Sequence, residues 1–418
     1  MPHRLAAGLL GLALTLPTLA ACGSDDAAGD GGPQHLTVWL MKDTATDEFV
    51  KDFEAAFEKD HSEYDLTIQI QEWDGITEKV TGALASTDPP DVLEVGNTQV
   101  AQYAASGGVT DLSDKVGELK GRDWLPGLAE PGAVDDHQYG IPFYAANRVV
   151  IYRTDLFGAK GVEPPSTRDE WLAATARLNQ GGTQGIYLPG QNWYVLAGFV
   201  WDEGGDLAVR DGGKWKGALD TPEALAGADF YRQLQALGNG PKDSDEAKPQ
   251  QTDVFANGNV AQLIAVPGAA KLITTANPAL EGKLGFFPIP GKRSGKPGAV
   301  FTGGSDLIVP VASPRQEGAY EVVKALAGEK WQAELATAMN YVPNRTSLAD
   351  AVGDDPGAAA MAAGAANGHA TPNSPNWTAV EARNPIKEFL TKVLTGTDPK
   401  TAAADADAVI TAALNTAN

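Results

Sequence analysis

The sequence predicts an α/β protein of two lobes, each a mainly parallel sheet flanked by helices. Three observations lead there. Short apolar runs alternate with amphipathic helical stretches from the start of the folded region. The chain has 418 residues, 43% of them hydrophobic, which is enough for two ordinary cores. A single cysteine means that those cores form without internal disulfides.

Residues 36–40 (LTVWL) read as a strand, and Phe49, Val50, Phe53 and Phe57 mark one face of a helix between 46 and 61. Residues 65–73 alternate Leu66, Ile68 and Ile70 with polar partners; Ile76, Val80 and Leu84 then recur every four residues, and 91–95 (DVLEV) is apolar again. This β-α-β-α-β order implies a covered, largely parallel sheet. Residues 139–153 form a long extended candidate, and Thr167-x-x-Glu170 is a capping box opening a helix that carries Trp171, Leu172 and Leu178. Thr221 and Pro222 open a helix through Leu237, and 260–266, 284–289 and 306–311 read as strands. Ser313, Pro314 and Gln316 supply the N-cap, first-position proline and third-position glutamine of a long helix. Residues 352–370 are mostly Ala and Gly, which predicts a weak helix or a mobile surface loop.

The N-terminus reads as an export signal. Arg4 precedes an apolar run from Leu5 to Leu16, and Leu19-Ala20-Ala21-Cys22 resembles the lipobox of bacterial lipoproteins, in which Cys22 is lipidated and becomes the mature terminus. Residues 1–21 are then the signal peptide. Residues 22–34 are the lipidated cysteine and a Gly- and Asp-rich flexible tether. The expected location is the extracytoplasmic face of the cell membrane, with the anchor as the only membrane contact.

Composition narrows the function classes. With 32 Lys and Arg against 54 Asp and Glu, the net charge of -22 repels nucleic acid, so no nucleic-acid partner is expected. The five histidines, at 3, 35, 61, 137 and 369, have no metal-ligand spacing, and the lone cysteine excludes a thiolate cluster; neither metal nor cofactor is expected.

Six colinear segments spread over the chain are similar to carbohydrate-binding members of the extracellular solute-binding protein family 1 of ABC importers. They are 90–111 (PDVLEVGNTQVAQYAASGGVTD), 139–157 (YGIPFYAANRVVIYRTDLF), 165–171, 254–268 (VFANGNVAQLIAVPG), 284–291 and 301–310 (FTGGSDLIVP). Val266-Pro267-Gly268 departs from the Gly-Pro-Trp of many relatives, so an aromatic platform is missing there. The resemblance implies a two-lobed periplasmic-binding-protein-like fold with the ligand cleft between the lobes. Residues 35–143 plus 302–343 would form one lobe and 144–301 plus 344–418 the other. It also implies chain crossings near 142–149, 299–305 and 342–345, with Pro142, Gly303, Gly304 and Asn344 as hinge residues. A monomer that hands a sugar to ABC permease subunits is the implied arrangement.

A sugar presents hydroxyls and flat C–H patches, which call for amide or carboxylate forks and aromatic plates. Trp193 and Tyr194 lie in a loop that faces the cleft in the resemblance and are the leading stacking residues; a core role is the alternative. Asn97 and Gln99 follow the strand at 91–95, at the edge where ligands of open α/β sheets gather, although Asn97 also suits a helix N-cap. Tyr144 and Asn147 lie on the first crossing, and Ser305 and Asp306 follow the glycine pair of the second. Trp73, Asp43 and Trp377 are further candidates in turns or just past strands. Trp39, Trp171 and Trp331 read as core, and Phe143 as packing.

Two rivals remain on sequence grounds. A secreted glycoside hydrolase would need a distinct carboxyl pair, and none stands out; GxSxG, GxxxxGK[ST] and HExxH are all absent. A binding protein for another solute, such as a polyamine, could exploit the negative charge.

Overall fold

The computed structural model describes residues 32–416, apart from 43 and 74. The signal segment, Cys22 and Asp43 therefore lie outside the described residues. Among the described residues, no helix is long and apolar enough to cross a membrane.

The first half of the molecule follows the predicted alternation. Strand Gln34–Met41, helix Asp47–Asp60, strand Tyr64–Gln71, helix Ile76–Leu84 and strand Val92–Gly96 come in that order. The first strand runs parallel to the other two. Phe49, Phe53 and Phe57 point the first helix at the sheet, where Phe53 meets Trp331 edge-on at 4.9 Å. This sheet has seven strands. Strand Val300–Ile308 enters it between Val92–Gly96 and Ile141–Asn147, antiparallel to both.

A second sheet has three strands, with Val149–Arg153 at its centre and Gln262–Ala265 and Leu284–Phe287 antiparallel on either side. Helix Ala269–Ala276 connects the two flanking strands, so they run parallel to each other across an opposed neighbour. The two-lobed α/β architecture stands, but the first sheet is mixed and the second pairs its strands antiparallel. Local β-α alternation says which segments are strands; direction depends on which distant strand each one pairs with.

The chain changes sheet at Arg148, between strands Ile141–Asn147 and Val149–Arg153, where the expected lobe boundary had been 143 and 144. It returns after Phe287 into strand Val300–Ile308, and Val342–Pro343 pairs with Tyr144 and Ala145 at the edge of the first sheet. Separate hydrophobic clusters lie under each sheet: one gathers Leu36, Phe53, Phe143, Leu307 and Trp331, another Trp171, Phe199, Tyr231, Trp377 and Phe389.

One local expectation fails for an identifiable reason, and one that left helix and loop open is resolved as helix. The long helix begins at Gln316 rather than at Ser313. The Ser313 hydroxyl instead donates to buried Asp91 at 2.6 Å, and Arg315 Nε donates to the same carboxylate at 2.8 Å. The Ala- and Gly-rich stretch is not a mobile loop. Helix Pro356–Ala365 is capped by Asp355, buries Ala358, Met361 and Ala365, and brings Gly364 close to the side chain of Asn147. The small residues permit close packing there.

Candidate ligand-binding cleft

A cleft of about 930 Å³ lies between the two sheets, within the usual size of small-molecule sites. From the first sheet it takes Gly96 and Asn97 at the end of strand Val92–Gly96, Tyr144 and Ala146, and Gly303, Gly304 and Ser305. From the second it takes Leu284, Phe286, the Val266-Pro267-Gly268 turn and Lys271 on the helix that follows. Arg148, at the change of sheet, lines it between the two.

Aromatic surface is supplied from several elements. Trp73, just past strand Tyr64–Gln71, is 44% exposed and lies beside the backbone of Gly96. Tyr144 stacks on Tyr341 with ring centroids 4.3 Å apart and planes 14° from parallel. Tyr194 packs on Phe301 at 4.7 Å, and the Arg148 guanidinium sits 4.5 Å from the Tyr194 ring centroid, an arrangement favourable to the cation. Arg148 also pairs with Glu246 at 2.6 Å, so its position is fixed from two sides.

A buried polar layer holds Tyr144 from behind. Glu94 accepts from the Met41 amide at 2.8 Å and from the Thr44 hydroxyl at 2.7 Å. The Tyr144 hydroxyl lies 3.3 Å from both Thr44 and Ser305. Burial pushes the Glu94 carboxyl and the Tyr144 phenol above their usual ranges, so the layer favours neutral groups around a fixed ring. Gly304 makes this geometry possible. Its φ is 154°, and any Cβ there would collide with the carbonyl oxygen of Tyr144.

The charges facing the cleft balance. Among the described residues lining it, Arg148 and Lys271 stand against Asp355 and Glu381. Asp355 is committed to its helix, accepting from the Ala358 amide at 2.7 Å.

The predicted site residues divide into two groups. Asn97, Tyr144, Tyr194, Ser305 and Trp73 line the cleft together with Gly303 and Gly304. Asn97 is nearly buried, and its amide donates to the Thr302 carbonyl at 3.0 Å, tying the sheet end to the returning strand. The other described candidates do not reach the cleft. Gln99 donates to Thr77 at 3.0 Å and accepts from Tyr103. Asn147 is 1% exposed beneath helix Pro356–Ala365. Trp193 and Trp377 belong to the core under the second sheet, with ring centroids 6.3 Å apart. Trp193 begins helix Trp193–Glu203, whose apolar length turns its ring inward.

Asp306 does not line the cleft either. Next to cleft-lining Ser305 on the same strand, its side chain lies on the opposite face, toward Gly132 and Gly140. It is fully buried, neither carboxyl oxygen has a hydrogen-bond partner among the described residues, and burial raises its pKa well above the carboxylate range. Of the hinge candidates, Asn344 is buried and donates to the Pro142 carbonyl at 2.9 Å and to the Ala327 carbonyl at 3.1 Å. It thereby clamps the third crossing to the first.

Sequence reasoning passed over Tyr341, Arg148, Phe286 and Glu381. Arg148 had a signal, since it is the one charged residue between 139 and 152. Glu381 had none, because its helix, Trp377–Arg383, reaches the cleft only through the tertiary fold.

The family described as bacterial extracellular solute-binding protein matches residues 42–333. The diacetylchitobiose binding protein DasA of Streptomyces coelicolor is 39% identical over 404 residues, covering 94% of this chain and 95% of that one. A galactooligosaccharide-binding protein of Bacillus subtilis is 26% identical, covering 92% and 91% of the two chains. Among solved structures, the sugar-binding protein MalE of Xanthomonas citri superposes with a TM-score of 0.82 at 23% identity, covering 91% of this chain and 97% of that one. A two-sheet fold enclosing a cleft, a family match across most of the chain and a relative aligned nearly end to end agree: the chain belongs to the bacterial extracellular solute-binding protein family.

Proposed function

We propose that this protein is an extracytoplasmic receptor that captures a short oligosaccharide in the cleft and delivers it to the permease of an ABC importer. The observation that carries the proposal is the cleft itself: exposed Trp73, the Tyr144–Tyr341 stack and Tyr194 offer aromatic faces on both sides of the crossing at Arg148. Such faces suit the C–H surfaces of sugar rings. The relative in Streptomyces makes diacetylchitobiose the first ligand to try. The protein would act as a monomer, held at the membrane by a lipid on Cys22.

The balanced cleft charge favours a neutral ligand over a polyamine, which would have to lie against Arg148 and Lys271. Hydrolysis is disfavoured for a related reason. Of the two carboxyl groups at the cleft, Asp355 is engaged as a helix cap, so no acid and base pair faces a bound sugar.

The test is a thermal-shift screen against a sugar panel, with polyamines as controls. A ligand at about 100 times its Kd adds about 2.7 kcal/mol of stability. A shift with a sugar that is recovered intact supports the receptor reading. A cleaved sugar, or a shift with polyamine alone, overturns it.

A further inference from the structure

A second hollow, of about 320 Å³, adjoins the cleft. Tyr194 and Glu381 line both spaces, so the two meet at this pair of side chains. The far side of the hollow carries Asn384 and Lys387, at the start of helix Pro385–Leu394, and Asp245, Glu246 and Ala247. Asp245 is paired with Lys387 and Glu246 with Arg148, so each of these two carboxylates already has its cation.

The polar groups around it are of complementary kinds. Glu381 Oε1 accepts from Trp377 Nε1 at 2.9 Å, which fixes the carboxyl and leaves its second oxygen as an acceptor. No Lys or Arg among the described residues forms an ion pair with it, and burial pushes its pKa up. Asn384 uses its carbonyl oxygen to cap Lys387 N at 3.3 Å, which leaves its NH2 as a donor. Lys387 Nζ is held by Asp245 at 2.8 Å and retains further protons to donate. One wall is apolar, formed by Tyr194 on Trp193 with centroids 4.0 Å apart. An anchored acceptor, two donors and an aromatic wall match a secondary amide, which has an N–H, a C=O and a small apolar end.

We propose that this hollow is a subsite for an amide substituent on the sugar held in the cleft, with Glu381 accepting its N–H and Asn384 and Lys387 donating to its carbonyl. The assignment rests on the sugar reading above and goes further by naming the substituent and the residues that read it. A free amine would satisfy Glu381 but leave the donors facing a cation. A hydroxyl would leave most of the hollow empty.

The matched pair for a test is diacetylchitobiose and cellobiose, which differ only in the 2-substituents. Isothermal titration of the wild-type protein should give at least about 10-fold tighter binding of the acetamido sugar, the scale of one or two satisfied hydrogen bonds. Glu381→Gln should collapse that ratio about 10-fold, because a glutamine that keeps its oxygen on Trp377 turns its NH2 toward the ligand's N–H. Ala247→Leu, at an exposed position, should collapse it by filling the hollow. Unchanged melting temperatures keep folding out of the comparison. Equal affinity of the wild type for both sugars, or an unchanged ratio in both variants, overturns the subsite while leaving the sugar receptor standing. If neither sugar binds, this assignment falls, and the sugar panel decides the receptor reading separately.

Discussion

Replacing Trp73 by Ala separates a binding role from a structural one more cleanly than any other change in the cleft. The side chain is 44% exposed. Against the roughly 150–250 Å² that a large aromatic can bury, about 65–110 Å² is available to a ligand. At about 25 cal/mol per Å², a sugar covering that face gains about 1.6–2.8 kcal/mol, so Trp73→Ala should raise Kd about 15- to 100-fold. The apo protein should scarcely notice, since exposed substitutions away from special features stay within about 0.5 kcal/mol. Titration calorimetry with the best sugar from the screen, alongside a denaturant melt of the apo protein, reads both quantities. An unchanged Kd would remove Trp73 from the site. A Kd change matched by an equal loss of apo stability would refute the claim that the ring serves the ligand.

Three further outcomes follow from packing and charge. Gly304→Ala sets a methyl group against the Tyr144 carbonyl and should cost about 2–4 kcal/mol, read from the urea midpoint; a loss under about 0.5 kcal/mol would mean the crossing strand has room to move. Arg168→Ala leaves mostly buried Asp202, 2.9 Å from the guanidinium, without its cation, while Glu203 keeps Lys292 at 2.6 Å. A loss of about 3–5 kcal/mol is expected in the same assay, and near-neutrality would show that water reaches the pair. Asp306→Asn tests the neutral buried acid. Because the folded-state pKa is raised, the native protein binds the proton more tightly than the unfolded chain, and stability falls by up to about 1.4 kcal/mol per pH unit as pH rises above about 4, until the carboxyl ionises. The asparagine variant should lack that slope, equalling the wild type in acid and exceeding it at neutral pH; parallel profiles would mean Asp306 is ionised in the fold.

What could be read from the sequence depended on whether the deciding contacts were local. The capping box at Thr167 and Glu170 forms as expected, because its donors and acceptors lie within three residues of each other. The helix at Ser313 does not start as expected, because Asp91, more than two hundred residues away, claims the same hydroxyl. Tyr144, Ser305 and Trp73 were legible as cleft residues from their places after strands or on crossings. Trp193 misled for a physical reason. Helix Trp193–Glu203 is apolar almost throughout, so nothing in its pattern distinguishes a ring facing ligand from one facing Trp377. Glu381 could not have been found at all, since its neighbours Tyr194 and Trp377 come together only when the last third of the chain packs under the second sheet.

The net charge of -22 is a sum over the whole chain, whereas the charged residues lining the cleft cancel. That separation lets a strongly acidic protein hold a neutral ligand, and it moves the burden of signalling from charge to shape. A ligand changes the population of a closed form only through contacts that differ between the two forms. Trp73 stands on the first-sheet side of Arg148 and Tyr194 on the second, so a sugar touching both gains one of those contacts only on closure. Moving such an equilibrium from 1:99 to 99:1 takes about 5.5 kcal/mol of differential affinity. One aromatic face at about 2 kcal/mol is too little. A second face together with the polar groups around Tyr194 brings the total into that range. Hydrogen bonds already span the two sides, among them those from the Thr378 hydroxyl to Gln102 at 3.2 Å, from Arg210 to Asp135 at 3.2 Å and from Asn373 to the Glu130 carbonyl at 2.9 Å. A ligand reaching only one wall would therefore bind without producing the shape a permease reads, which makes the length of the sugar a condition for transport as well as for affinity.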